Sequence, residues 1–217
     1  MNVINLDQSN SIVNAFISQI RDVEIQKDPL RFRRNIERIG EVLGYELSKS
    51  LPYYPCDIQT PLGNASTYLP EDSIVICSVL RAGIPLHNGL LNYFDNSGSA
   101  FISAYRSHKN ESDDFEIVVE YFASPNLDGK ILILADPMLA TGQSLVAVLK
   151  ALEKYGNPQK IFIVSVIASK DGIEYVSNHF PDTTSLYTAA IDKALNSKGY
   201  IIPGLGDAGD LAFGPKL

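Results

Sequence analysis

Ile131-Leu-Ile-Leu-Ala135, followed directly by Asp136-Pro-Met-Leu-Ala-Thr-Gly-Gln-Ser144, is the stretch of this sequence that decides the fold. Its first part is apolar without alternation, which is typical of a strand buried on both faces. Its second part combines a short loop with the start of a helix near Gln143. The stretch therefore predicts a strand, a tight loop and a helix, the unit from which α/β sheets are built.

The predicted loop has the chemistry of a phosphate-binding site. The first N–H groups of a helix lack partners and the helix dipole is positive there, so an anion is favoured. Thr141 and Ser144 can add hydroxyl donors, Gly142 lets a ligand reach the backbone, and Asp136 can hold ribose hydroxyls or an accompanying cation. The Gly-Lys-Ser/Thr ending of a Walker loop is missing, which disfavours ATP hydrolysis. An ordinary capped helix after a strand is the alternative interpretation.

Further apolar runs predict the rest of the sheet, and helical patterns lie between several of them. The predicted strands are Ile74–Val79, Ala100–Ala104, Ile131–Ala135 and Ile161–Ile167; the predicted helices are Ile84–Phe94, Ser144–Tyr155 and Gly172–Phe180. Ile117–Phe122 follows a polar loop and is predicted to return as a hairpin strand. This alternation predicts an α/β fold, a doubly wound and mostly parallel sheet flanked by helices.

Two amphipathic helices are predicted before the sheet. Ser11–Arg21 has apolar residues at helical spacing, and Asp28-Pro29 has the chemistry of a cap and a first helical residue. An apolar stripe follows, made of Phe32, Ile36, Ile39, Leu43 and Leu47. The arginines around it are interpreted as a solvated face, with a partner or effector site as the alternative; they are Arg31, Arg33, Arg34 and Arg38.

Composition limits the classes of function. Lys and Arg number 18 against 25 Asp and Glu, a formal net charge of −7, and an acidic surface disfavours nucleic-acid binding. Cys56 and Cys77 have neither zinc nor redox-pair spacing, so both are interpreted as small buried hydrophobes in a reducing compartment. The sequence has no secretory leader pattern and no apolar run of ~20 residues, so we expect no membrane span and a cytoplasmic location.

Four segments resemble the uracil phosphoribosyltransferases of the type I phosphoribosyltransferase family. Asp136–Ser144 resembles their signature for phosphoribosyl pyrophosphate (PRPP), and the glycine-rich Gly199–Asp210 resembles their uracil signature. Leu80-Arg81-Ala82-Gly83 is similar to their pyrophosphate loop, and Tyr105-Arg106 is similar to the start of their flexible arm. The loop Ser107–Asp114 that follows is polar throughout and is predicted to be mobile. The matches occur in the family's order from about Arg31 to the end of the chain.

The resemblance implies a reaction and its requirements. Uracil and PRPP would give UMP and pyrophosphate, with Mg²⁺ carried by PRPP, and some family members are activated by GTP. It implies one phosphoribosyltransferase domain over residues 1–217: a helical segment to about residue 51, a core over about 52–198, and a hood over the base from about residue 199. It also implies a homodimer or higher homo-oligomer.

The resemblance assigns the PRPP site residue by residue. Arg81 would bind the pyrophosphate, helped by the N–H groups of Ala82 and Gly83, because a guanidinium is always charged and can hold two oxygens. Arg106 would reach the same group from the arm; a surface ion pair for Arg81 and an exposed loop arginine for Arg106 are the alternatives. The sugar and its phosphate would lie in a cradle formed by Asp136, Pro137, Met138, Leu139, Ala140, Thr141, Gly142, Gln143 and Ser144.

The hood would read the base through backbone groups. By resemblance these belong to Ile201, Gly206, Asp207 and Ala208, and they would reject cytosine because its amino group would leave buried donors unpaired. Asp207, with Arg81 and Arg106, is a candidate catalytic residue; it could bind the Mg²⁺–PRPP complex or assist proton removal, and both roles stay open. Asp210 could fix the glycine turns by hydrogen bonds.

Two departures from the family pattern leave an alternative open. Gln143 stands where a second glycine is common, and Leu211 where a basic residue usually follows Asp210. A weakly catalytic paralogue that binds PRPP or a nucleotide in a regulatory role would explain both. An RNA-binding attenuator and a purine-accepting enzyme are further alternatives, disfavoured by the net charge and by the hood signature. The histidines lack ligand spacing to one another, so they predict no metal site: His87, His108 and His179.

Overall fold

The computed structural model describes residues 1–70, 73–108 and 115–216, and it describes only the backbone of residues 104–108 and 115–120. The strands are β1 (Asn2–Asn5), β2 (Tyr53–Thr60), β3 (Gly63–Pro70), β4 (Ile74–Leu80), β5 (Gly98–His108), β6 (Phe115–Ala123), β7 (Ile131–Ala135), β8 (Met138–Leu139), β9 (Lys160–Ser169), β10 (Ser185–Asp192), β11 (Ala194–Leu195) and β12 (Ile201–Ile202). The helices are α1 (Ile12–Arg21), α2 (Pro29–Ser48), α3 (Gly83–Leu91), α4 (Gln143–Leu152), α5 (Lys170–Ser177) and α6 (Ala208–Phe213).

The central sheet has the strand order β1-β10-β9-β7-β4-β5-β6, and the short β8 pairs with β9. Every pairing along it is parallel except the antiparallel pair β5–β6 at one edge. The predicted α/β fold with a mostly parallel sheet is therefore confirmed, including the returning strand.

Both faces of the sheet are covered by helices. Ile131 and Ile133 contribute to one apolar cluster, which they share with residues of α1, α2 and α3. Leu132 and Leu134, which alternate with them in sequence, contribute to the opposite cluster with residues of α4 and α5. Because side chains alternate along a strand, the continuous apolar run serves both faces, as a doubly wound sheet requires.

The two N-terminal helices begin where the sequence predicts. Ser11 Oγ accepts from the N–H of Val13 at 3.3 Å, and Asp28 Oδ1 accepts from the N–H of Leu30 at 3.0 Å. The stripe on α2 is buried, with every member at most 1% exposed: Phe32, Ile36, Ile39, Leu43 and Leu47. α2 packs closely on α3, since a Cβ at Gly40 would lie 2.9 Å from the carbonyl oxygen of Leu86.

Three sequence interpretations need correction. The arginines of α2 do not form a wholly solvated face, because Arg33 Nη1 donates to the carbonyl oxygen of Ala212 at 2.6 Å. The strand predicted to end at Ala104 continues to His108, so Ser107 and His108 are strand residues, and the rest of the predicted mobile loop (109–114) lies outside the described residues. Cys77 is fully buried as expected, whereas Cys56 is half-buried.

Several elements were not predicted. They are the edge strand β1, the hairpin β2–β3, the strand β10 and the short pair β11–β12. Among the described residues, no helix is both long and apolar enough to cross a membrane.

His87 joins α3 to two neighbouring strands beneath the carboxyl edge of the sheet. Its Nδ1 lies 2.8 Å from Ser78 Oγ on β4, and its Nε2 lies 3.0 Å from Ser99 Oγ on β5. The side chain is 2% exposed, and this burial lowers the pKa of His87 to about 4. The imidazole is therefore neutral in the folded protein at pH 7, held as a buried connector.

We predict that His87 makes the folded protein sensitive to mild acid. Below about pH 6.5 the unfolded chain binds a proton at His87, whereas the folded chain accepts this proton only near pH 4. Stability is therefore lost as pH falls from about 6.5 to about 4. Between pH 7.5 and 5, urea unfolding should show wild type losing about 2 kcal/mol more than His87→Gln. Equal losses in both proteins would contradict this account of His87.

Candidate active site

Two of the predicted site segments leave the sheet side by side. β4 and β7 are adjacent and parallel, and Ser78 pairs with Ala135 in register. Arg81 and Asp136, which follow these strands, therefore emerge at the same carboxyl edge. The contact is close, because a Cβ at Gly83 would lie 3.5 Å from the carbonyl oxygen of Ala135.

The loop after β7 is fixed from below by serine hydroxyls of β9. Ser165 Oγ accepts from the N–H of Leu139 at 3.2 Å, and Ser169 Oγ donates to the carbonyl oxygen of Ala140 at 2.6 Å. Ser169 also caps α5 by accepting from the N–H of Gly172 at 2.8 Å. Sequence reasoning missed this support, although a serine three residues before Gly172 at a strand end is a cap signal.

The loop borders a small open cavity at the start of α4. Asp136 is oriented in it by the N–H of Met138, which donates to Asp136 Oδ1 at 3.1 Å. The cavity is lined by Asp136, Met138, Leu139, Ala140, Thr141, Gly142, Ser144 and Leu145. The N–H groups of the first turn of α4 have no carbonyl partner within the helix, so this end can bind an anion.

Gly142 carries the special backbone geometry of this loop, and Gln143 does not. Gly142 is the N-cap of α4 with φ 77°, and a Cβ there would lie 3.0 Å from the carbonyl oxygen of Gly172. Gln143 is the first residue of the helix. Gln143 therefore has helical backbone geometry rather than a positive φ, and helical geometry accepts a glutamine side chain at small cost.

Arg81 forms an ion pair with the C-terminal part of the chain. Its Nη2 lies 2.8 Å from Asp210 Oδ1, with the two side chains 34% and 39% exposed. Its Nε is buried and has no hydrogen-bond partner among the described residues. Arg81 therefore has a partly exposed carboxylate partner at Nη2 and a buried donor at Nε that is left unpaired.

The cap of α6 is made by Asp207 rather than by Asp210. Asp207 Oδ1 accepts from the N–H of Gly209 at 2.8 Å and of Asp210 at 3.0 Å. The expected hydrogen bonds that fix this turn thus come from Asp207, while Asp210 faces Arg81. An aspartate cap was readable from the sequence, but its long-range partner was not.

The predicted base-reading residues form the turn between β12 and α6. Ile201 and Ala208 are buried, at 5% and 3% exposure, whereas Gly206 is exposed and takes φ 95°. The apolar character of Tyr200, Ile202 and Phe213 favours burial, but all three side chains are at least 39% exposed. The turn therefore presents backbone groups at its surface while its ends are anchored in the core.

Leu211 packs against the core in this region. Its side chain is partly buried against the same apolar cluster that includes Ile201 and Leu205. The position where the family pattern has a basic residue is thus used for apolar contact.

Arg106 and Ala82 are placed by their backbone positions in β5 and at the start of α3. Arg106 lies in β5 opposite Ile117, and its side chain lies outside the described residues. Ala82 is the N-cap of α3, so its N–H and that of Gly83 stand at a helix start beside Arg81.

Comparison with known proteins identifies the family. The family model described as Uracil phosphoribosyltransferase matches residues 8–215. A protein named uracil phosphoribosyltransferase from Porphyromonas gingivalis is 50% identical over 217 residues, covering 100% of both chains. One of that name from Methanothermobacter thermautotrophicus is 39% identical over 207 residues, covering 94% of this chain and 93% of the relative.

Solved structures agree with this fold. A protein of Aquifex aeolicus superposes with a TM-score of 0.86 at 29% identity, covering 98% of both chains. A purine phosphoribosyltransferase of Pyrococcus horikoshii gives a TM-score of 0.50 at 14% identity, covering 89% and 93%, which concerns the fold alone. Since the family model spans nearly the whole sequence and a relative is half identical over full length, the chain belongs to the uracil phosphoribosyltransferase family.

Proposed function

We propose that the carboxyl edge of the sheet binds PRPP and uracil, and that the chain transfers the ribosyl phosphate to uracil in pyrimidine salvage. The observation that carries this is the meeting of three predicted segments: Gly83 lies against Ala135, and Arg81 is paired with Asp210 at 2.8 Å. Relatives named uracil phosphoribosyltransferase in bacteria and archaea support this reaction over the regulatory alternative.

The reaction breaks the bond between the anomeric carbon and pyrophosphate and forms a bond from that carbon to a ring nitrogen of uracil. Negative charge grows on the leaving pyrophosphate, and the base loses its N–H proton. Arg81 and the N–H groups of Ala82 and Gly83 would receive the leaving group, because fixed positive charge stabilises it without reorganisation. Arg106 is proposed to reach the same group from β5.

The other end of PRPP would be held by the loop after β7. Its phosphate fits the start of α4, where backbone N–H groups and the hydroxyls of Thr141 and Ser144 can donate. Asp136 stands at the end of β7 and can accept from the ribose hydroxyls. The two ends together would fix the anomeric carbon in line between leaving group and base.

Uracil would be read by the backbone of the turn between β12 and α6. Its carbonyl oxygens need donors and its ring N–H groups need acceptors, which the groups of Ile201, Gly206 and Ala208 can supply. Asp207 is proposed to act here as well, in proton removal or towards the PRPP complex. Its Oδ1 already accepts two backbone N–H groups, which fixes the orientation of its carboxylate.

Mg²⁺ is proposed to arrive with PRPP. Among the described residues, no group of three or more His, Cys, Asp or Glu comes together as a metal cluster. Mg²⁺ is commonly held by one or two carboxylates together with substrate phosphates and water, and Asp136 or Asp207 suits that arrangement. When bound, the ion would offset part of the charge of the leaving pyrophosphate.

A homodimer or higher homo-oligomer is supported by the hairpin β2–β3. Among the described residues these two strands pair only with each other, and a lone hairpin is marginally stable in water. One face is largely apolar and exposed: Tyr54 opposite Leu69, and Ile58 opposite Ala65, at 48%, 36% and 44% exposure for the three large side chains. We propose that a second copy covers this face. A GTP effector and a cytoplasmic location stay predictions.

The first experiment measures UMP formation from labelled uracil, PRPP and Mg²⁺. We expect UMP, and no nucleotide from cytosine or hypoxanthine, because a mismatched base leaves buried polar groups unpaired. Folded protein that forms no UMP would contradict the proposed function, and a product from hypoxanthine would contradict the proposed base site.

Arg81→Ala should lower turnover by roughly 10²-fold or more, because it removes the fixed charge at the leaving group. The free energy of unfolding should change by no more than about 1 kcal/mol, since the pair with Asp210 is partly exposed. Arg34→Ala is the matched control, because Arg34 forms an exposed ion pair with Glu37 on α2. Steady-state rates and urea unfolding measure both quantities; unchanged turnover in Arg81→Ala would rule out its proposed role.

Ile58→Asp should convert the oligomer to monomer, because a charge buried in an apolar contact has no partner there. Gln59→Asp places the same charge on the opposite face of the hairpin and should leave assembly unchanged. Sedimentation velocity over a range of protein concentrations distinguishes the two. The proposal is wrong if both variants sediment as wild type does.

A further inference from the structure

The proposed base-reading turn is tied to the N-terminal helices by a buried ion pair. Arg21, the last residue of α1, holds Asp192 at the end of β10 with two parallel bonds, Nη1 to Oδ2 and Nη2 to Oδ1, both 2.8 Å. The side chains are 21% and 8% exposed. Paired bonds between a guanidinium and a carboxylate fix orientation as well as distance.

This ion pair forms hydrogen bonds with both the carbonyl oxygen and the N–H of Gly204 in the turn. Arg21 Nη1 also donates to the carbonyl oxygen of Gly204 at 3.1 Å, and the N–H of Gly204 donates to Asp192 Oδ2 at 2.9 Å. Gly204 takes φ 56°, and a Cβ there would meet the carbonyl oxygen of Ile201. The path of the backbone from Ile201 to Gly206 is thus set by Arg21 and Asp192.

Two further N-terminal side chains donate to carbonyls of the same segment. Arg33 Nη1 donates to Ala212 at the end of α6 at 2.6 Å, and its guanidinium lies 5.8 Å from the centre of the Phe213 ring. With its amide nitrogen turned toward the carbonyls, Gln26 donates to Leu205 at 2.9 Å. The N-terminal segment therefore holds the turn at Gly204 and Leu205, and holds the end of α6 at Ala212.

We propose that Arg21, acting through Asp192 and Gly204, is a positioning residue for base recognition. This inference rests on the proposed function, since it concerns how the turn reads the base. A site that reads a base by backbone hydrogen bonds must be held to a fraction of an ångström, about 0.5 Å. The β4 and β7 segments proposed for PRPP lie outside the part of the chain that Arg21 and Asp192 hold, so loss of this pair should raise KM for uracil more than KM for PRPP.

The test compares Arg21→Lys and Asp192→Asn with wild type in steady-state assays of UMP formation. Arg21→Lys keeps a positive charge opposite Asp192 and can make one hydrogen bond to it, so the protein should still fold. Arg21→Ala leaves the buried carboxylate of Asp192 unpaired and serves as the most severe variant. We expect KM for uracil to rise about tenfold or more, KM for PRPP to change less than about twofold, and Arg21→Lys to retain more affinity than Arg21→Ala. Arg34→Lys, in an exposed pair on α2, should change neither constant.

Amide hydrogen exchange gives a readout apart from catalysis. Amides of residues 201–209 should exchange faster in Arg21→Lys, while those at the start of α4 should exchange as in wild type. If the wild type itself forms no UMP, the proposed function fails. If the wild type is active and the variants raise KM for both substrates together, or leave KM for uracil unchanged, only the positioning role of Arg21 is overturned.

Discussion

The parallel pairing of β4 with β7 is the constraint on which the site depends. Its register, from Ile74 opposite Ile131 to Ser78 opposite Ala135, sets two loop starts beside each other at the carboxyl edge. Both faces of these strands are buried. A shift of either strand by one residue would move its side chains from one apolar cluster to the opposite one. The distance between the proposed pyrophosphate and phosphate subsites is therefore fixed by core packing, and the loops need little rigidity of their own.

At the carboxyl edge of the sheet, helix N-termini and an arginine provide local positive charge, in contrast to the negative net charge of the chain. The net charge is −7, yet the starts of α3 and α4 both present N–H groups here, beside the guanidinium of Arg81. Asp210 is the anion that Arg81 faces in the structure. Because that pair is more than a third exposed, water screens it and exchanging its partner costs little. The proposed pyrophosphate would therefore compete with Asp210 for Arg81 at low cost.

Local sequence predicted the elements whose signal is local. The flat apolar strands, the helix beginning at Ser11 and the cap at Asp28 were all readable. β10 was missed because its run contains polar residues, and the burial of Thr188 depends on neighbours far along the chain. The hairpin β2–β3 was missed because its turn at 61–62 lacks the Asn-Gly or Asp-Gly signal. The pairs Arg81 with Asp210 and Arg21 with Asp192 join residues more than a hundred positions apart, which no periodicity can reveal.

The two departures from the family pattern illustrate how context decides the effect of a residue. Gln143 begins α4 with ordinary helical geometry, because the left-handed turn is made one residue earlier, at Gly142, which packs closely against α5. Leu211 packs on the apolar cluster that includes Ile201 and Leu205. Its side chain therefore helps to hold the same turn that Arg21 and Asp192 bind at Gly204. A basic residue there could keep apolar contact through its methylene stem while its charge reached solvent, so Leu211 changes the charge at this position more than the packing. Neither substitution removes a backbone donor from the cradle or from the turn, so both are compatible with the proposed catalysis.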